Sequence, residues 1–160
     1  MKTDRIALLL FVFLALTRPA TAEVLSKWLD QTVYIPVYSH IYPDGRFKNT
    51  PFLLTATLVI RNADPDKPFT LKSVRYYDSK DRLLNNYLDK PMTIEPLGST
   101  WFIVPESESQ GGVGAKFLVD WKAENPVVEP IMESVMIGTK MQQGISFLST
   151  GRVIKGTPAR

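Results

Sequence analysis

From Gln31 onward, apolar residues recur at every second position in short runs cut by turn residues. That period belongs to strands with one buried face. In "FLLTATLVIRN" (52–62), Leu54, Ala56, Leu58 and Ile60 share one face against Thr55, Thr57, Val59 and Arg61. In "FTLKSVRYYDS" (69–79), Phe69 and Leu71 keep one phase while Val74 and Tyr76 keep the other, which predicts a β-bulge near Lys72 or Ser73. "RLLNNYLDKP" (82–91) reads as the return strand of a hairpin, and "MTIEPLGSTWFIV" (92–104) as two strands about a proline turn. "KFLVDWKA" points Phe117, Val119 and Trp121 inward.

Other segments are less regular. "TVYIPVYSHIY" (32–42) is extended, and Pro36 marks it as an edge strand or as a break where one sheet hands over to another. "PDGRFKNTP" (43–51) is a loop led by Asp44-Gly45. "PVVEPIMESVMIGT" fits either period, so residues 130–137 are open between helix and strand. "GISFLSTGRVI" closes the domain. The expectation is an all-β antiparallel sandwich of seven to eight strands over residues 31–155. A short N-terminal arm or helix precedes it at 23–30 ("EVLSKWLD"), and a loose tail follows at 156–160.

The N-terminus has a different texture. Lys2 and Arg5 precede the apolar run Ile6 to Leu16, and Ala20 and Ala22 then stand at A-x-A spacing. That order belongs to a secretory signal peptide, read here as residues 1–22. The apolar run is well short of the ~20 residues that span a bilayer, so a retained anchor is the lesser alternative and no membrane span is expected after cleavage. The chain is thus expected to be periplasmic or secreted. The segment carries Lys2, Arg5 and Arg18 against Asp4, so the net charge of +3 falls to +1 once it is removed. A nearly neutral chain without a basic block gives no footprint for nucleic acid. There is no cysteine, which excludes both lipidation after the signal segment and a disulfide framework. The remaining ~138 residues must be held by a core, which one domain of that size can supply.

The phrases "IPVYSHIY", "RNADPDKPFTLKSVRYYDS", "YLDKPMTIEPLGST", "GGVGAKFLVDWKA" and "ESVMIGTKMQQGISFLSTGRVI" resemble the exported bacterial family called domain of unknown function 3124. The resemblance covers about residues 31–155 and implies no activity, so it brings no functional residues with it. The middle section is also similar to immunoglobulin-like bacterial modules, which by analogy makes the expected sandwich immunoglobulin-like.

The candidate chemistry is sparse. "SQGGVGAKFLVDW" (109–121) invites comparison with a phosphate loop, but the glycine spacing fails, no hydroxyl follows Lys116, and a strand comes next. It is read as a mobile turn. His40 is the single histidine, so with no cysteine a zinc site would rest mostly on carboxylates. Neither Ser146 nor Ser149 completes G-x-S-x-G. Glu129 and Glu133, if in a strand, lie ~13 Å apart, too far for paired work on a glycosidic bond. Asp64/Asp66 and Asp78/Asp81 read as turn chemistry rather than calcium ligands. No cofactor or metal site is expected.

These readings favour an exported, non-catalytic β-sandwich that binds an envelope protein or a small ligand. Two surfaces are nominated. One is the face of Tyr38, His40 and Tyr42. The other is the polar, glycine-bounded loop "GTKMQQGIS" (138–146), with Thr139, Gln143 and Ser146 as contacts. The rivals are a periplasmic hydrolase using His40 as its base and an assembly chaperone that pairs through a long, apolar edge strand.

Overall fold

The alternating runs become strands because each can bury one face and leave the other to solvent. The computed structural model describes residues 26–42, 50–140 and 142–159. Its strands in chain order are β1 (Lys27–Val37), β2 (His40–Ile41), β3 (Phe52–Leu53), β4 (Thr55–Arg61), β5 (Phe69–Tyr77) and β6 (Leu83–Asn86). They continue as β7 (Met92–Ile94), β8 (Ser99–Val104), β9 (Ala115–Val128), β10 (Ile131–Lys140), β11 (Gln143–Thr150) and β12 (Arg152–Pro158). The all-β class is as expected, while the strands among the described residues number twelve rather than seven or eight.

One sheet has the order β12-β1-β9-β5-β6, with β7 also on β5; a second has the order β11-β10-β4-β8, and β2 pairs with β3 in a small two-stranded ladder. All ladders are antiparallel. Between the sheets lie Ile35, Leu54, Leu58, Ile60, Leu71, Val74, Phe117, Val119 and Trp121, each at most 1 % exposed. Burying each large side chain contributes about 1.5–3 kcal/mol. Trp121 packs on Phe69, and its indole N–H donates to Gln31 Oε1 at 3.2 Å, so the largest core side chain leaves no polar atom unmet. The bulge expected near Lys72 or Ser73 is present: β5 pairs Leu71 with Trp121 and then Ser73 with Asp120, which leaves Lys72 as the extra residue. Among the described residues no helix is long and apolar enough to cross a membrane.

Several expectations change. Residues 27–30 are not an arm or helix but the start of β1, because Trp28 pairs with Val127 on one side and Pro158 on the other. The same ladder makes 156–158 part of a strand rather than a loose tail. Residues 131–137 are strand. β1 is not an edge strand, since β12 and β9 flank it. Yet β12 reaches only as far as Tyr34, so Pro36 lies where that side has opened, and its carbonyl instead accepts the Ser134 hydroxyl at 2.5 Å across the sandwich. The expected signal segment and the Asp44-Gly45 loop lie outside the described residues.

The turns use aspartate as expected. Asn62 Nδ2 donates to the Lys67, Ile94 and Glu95 carbonyls, while Asp64 accepts the Asp66, Lys67 and Val128 amides. Burial alone would raise the Asp64 pKa; these amide bonds outweigh it and lower it.

Candidate functional site

The run 32–42 does not continue as one strand through the nominated aromatics. It breaks at Tyr38 and Ser39, and β2 resumes at His40 paired with Leu53. The break is held by Ser39, which is fully buried. Its amide donates to the Gly112 carbonyl at 3.2 Å, and its hydroxyl oxygen accepts the Gly112 amide at 2.8 Å. The aromatic trio is thereby divided. Tyr38 packs edge-on against Phe147 of β11, whereas His40 packs edge-on against Tyr42. His40 Nδ1 lies 3.1 Å from Ser39 Oγ, and that buried oxygen also accepts the Gly112 amide. Among the described residues no three His, Asp or Glu side chains gather to hold a metal ion.

The glycine stretch is also a clasp. Ser79 donates its amide and its hydroxyl to the Gly111 carbonyl and accepts the Gly114 amide. Gly112 takes φ 80°, a left-handed conformation suited to glycine. Gly111 is buried, and a Cβ there would overlap the Tyr76 hydroxyl. Burial, reinforced by the neighbouring Glu108 carboxylate, raises the Tyr76 pKa. Lys116 points away from the loop: its Nζ contacts Asp81 Oδ1 at 3.0 Å and the Asp78 carbonyl at 3.1 Å. The stretch is therefore pinned at both ends of its turn by serines, in place of the mobile rim expected.

Segment 138–146 is not a polar loop. β10 and β11 form a hairpin in which Thr139 pairs with Gly144 and Lys140 with Gln143, leaving a two-residue turn where Gln142 has φ 66°. Thr139, Gln143 and Ser146 are exposed, but on strands. Tyr38 is tied to the same hairpin through Phe147, while the ring that His40 meets is Tyr42.

Residues paired across an antiparallel ladder share a face, so the registers map the outside of the four-stranded sheet. One row runs Trp101–Val59–Glu133–Thr150, the next Ile103–Thr57–Val135–Leu148, and the next Thr55–Ile137–Ser146. Trp101, Ile103, Ile137 and Leu148 are 64, 49, 53 and 58 % exposed. The face is closed at one end by the Arg61–Glu133 ion pair at 2.8 Å. Its border is β11, eight residues with no charge and no proline, whose other side is unpaired among the described residues. Sequence reasoning passed over this surface. Its signal was present in "TWFIV" and "VMI", where both phases of the alternation are apolar.

The outside of the six-stranded sheet is polar. Its centre is Asp120, which accepts Thr32 Oγ1 at 2.7 Å, Ser73 Oγ at 2.6 Å and Arg75 Nη2 at 2.7 Å. Burial would raise its pKa; the hydroxyl bonds and the guanidinium prevail, and it is lowered. The two outer faces thus differ in kind, one charged and one greasy.

A family model described as "Protein of unknown function (DUF3124)" matches residues 30–154. The chain belongs to the DUF3124 family. The match spans β1 to β12 and agrees with the resemblance read from the sequence. No curated protein matches this DUF3124 chain. Among solved structures, the crystal structure of Thermotoga maritima 1070 is similar at 10% identity and a TM-score of 0.47, covering 79% of this chain and 97% of that one.

Proposed function

We propose that this DUF3124 protein is an exported, non-catalytic binding module of the bacterial envelope. In this reading a protein partner lays an extended segment along β11 and onto the outer face of the four-stranded sheet. The observation that carries the reading is the outward cluster of Trp101, Ile103, Val59, Val135, Ile137 and Leu148, interspersed with Thr55 and Thr57 and bordered by an uncharged edge strand. Monomers rarely leave such a patch uncovered, and natural edges usually carry lysine or proline. β12 does so, with Arg152, Lys155 and Pro158, and β11 does not. The occupant is therefore a polypeptide with apolar side chains at alternate positions, supplying backbone pairing to β11 and side chains to the face. Export rests on the order of residues 1–22. The non-catalytic reading is supported by the full burial of Ser39, whose hydroxyl lies beside His40, and by its bonds to Gly112.

The test uses the chain lacking residues 1–22 to retain a protein from envelope extract; that protein is then purified and titrated. The expected result is amide-exchange protection confined to β11 and its neighbours, with binding weakened at least tenfold by Leu148→Lys. Protection elsewhere, binding unchanged by that substitution, or a face already covered by a second copy in sedimentation overturns the reading.

A further inference from the structure

At one end of the six-stranded sheet the strands depart from regular pairing twice, and the two departures enclose one groove. In β5 the extra residue is Lys72. In β9 the register jumps from Lys122, opposite Asp30, to Val127, opposite Trp28, so residues 123–126 bow out against a single residue of β1. Bulges of this kind re-aim side chains beside sites. Between them is a cavity of about 450 Å³ lined by Lys67, Lys72, Lys122, Thr70, Thr93 and Glu124. This lies within the range of small-molecule sites.

Its chemistry is one-sided. Thr93, Thr70 and Lys122 stand in one cross-strand row, which sets two hydroxyls beside an ammonium group. Lys67, also a lining residue, donates from Nζ to the Pro126 carbonyl at 3.3 Å, just past the lining residues 123–125. Lys72 and Lys122 form no ion pair among the described residues. Among the lining residues three lysines stand against the single carboxylate of Glu124, and with Asp30 opposite Lys122 in the β1–β9 ladder the excess is still positive, in a concave surface that concentrates the field. Two other cations of this sheet are neutralised at short range, Arg75 by Asp120 and Lys116 by Asp81.

We propose that this groove is a binding site for a sugar-sized organic anion bearing phosphate or carboxylate groups. The lysines act as point charges on the anionic group, and the Thr70 and Thr93 hydroxyls donate to its oxygens. The remaining volume takes the neutral body of the ligand. This inference is independent of the apolar face, which lies on the other sheet.

The chain lacking residues 1–22 is titrated by calorimetry at physiological salt with glucose 6-phosphate, glucuronate and glucose. The expected result is binding of one or both anions and none of glucose, the stronger anion distinguishing phosphate from carboxylate. Lys72→Ala with Lys122→Ala weakens that binding at least tenfold, while Lys80→Ala with Lys90→Ala, exposed lysines elsewhere, leaves it unchanged. If the alanine pair fails to fold, Lys72→Gln with Lys122→Gln takes its place. Absence of anion binding, equal binding of glucose, or an equal loss in the Lys80/Lys90 pair overturns the proposal.

Discussion

Ser39 and Gly112 exchange two hydrogen bonds, amide to carbonyl at 3.2 Å and amide to hydroxyl at 2.8 Å, although they lie 73 residues apart. This clasp joins the break after β1 to the connection leading into β9, and the two strands are neighbours in the six-stranded sheet. Ser39→Ala leaves the half-buried Gly112 amide without its acceptor, and the expected loss is about 1–2 kcal/mol. Gly112→Ala is expected to cost at least as much, because φ is 80° and a Cβ would lie 2.7 Å from Ser79 Oγ. Urea unfolding of both variants checks this; unchanged midpoints would show that the clasp is dispensable.

Asp120 sets an acid limit on stability. Its folded pKa is lowered, so its contribution is present above the ordinary carboxylate value of 3.8 and is lost as pH falls through the folded value. Asp64 and Asp78 are lowered as well, so unfolding is expected to become easier below about pH 4. Asp120→Asn is expected to cost about 1 kcal/mol at pH 7, the ion pair to Arg75 being partly screened by solvent. The gap between variant and wild type should then narrow as pH drops toward 2. Thermal melts across that range measure it, and a gap independent of pH would remove Asp120 from the account.

Lys116 offers a sharper answer about the glycine stretch. Its ammonium group is committed to Asp81 and to the Asp78 carbonyl, and its side chain is only 12% exposed. Lys116→Ala is expected to lower stability by up to about 1 kcal/mol. It should leave affinity for inorganic phosphate unchanged, as calorimetry can show; a lost phosphate response would restore the phosphate-loop reading.

Period two was enough to read the core, because a strand with one buried face writes that face into the chain. Leu54, Ala56, Leu58 and Ile60 are buried as the alternation requires, and the phase change in β5 marked its bulge. What alternation cannot encode is which strand lies beside which. Lys67, Lys72 and Lys122 form a groove only once β5 and β9 pair, and no short motif joins them. The segment 138–146 looked like a loop because it is polar and bounded by glycines. It is a hairpin tip because Gln142 takes positive φ and lets the ladder run to its end. Tyr38 and His40 are two residues apart, yet Ser39 turns inward to hold Gly112 and sends the two rings to different neighbours.

The apolar outer face makes a prediction that separates binding from folding. Trp101 and Leu148 project away from the core on β8 and β11, with β4 and β10 between them, so a charge at either position buries nothing. Trp101→Lys and Leu148→Lys are expected to change stability by no more than about 0.5 kcal/mol, as surface substitutions do. They should nevertheless raise solubility and reduce binding of a hydrophobic dye, because lysine on an edge and on a greasy face blocks association. Paired measurements of the unfolding midpoint and of dye fluorescence decide the point. A large loss of stability would mean that the face is packed within the fold, and unchanged dye binding would mean that the exposed apolar surface lies elsewhere.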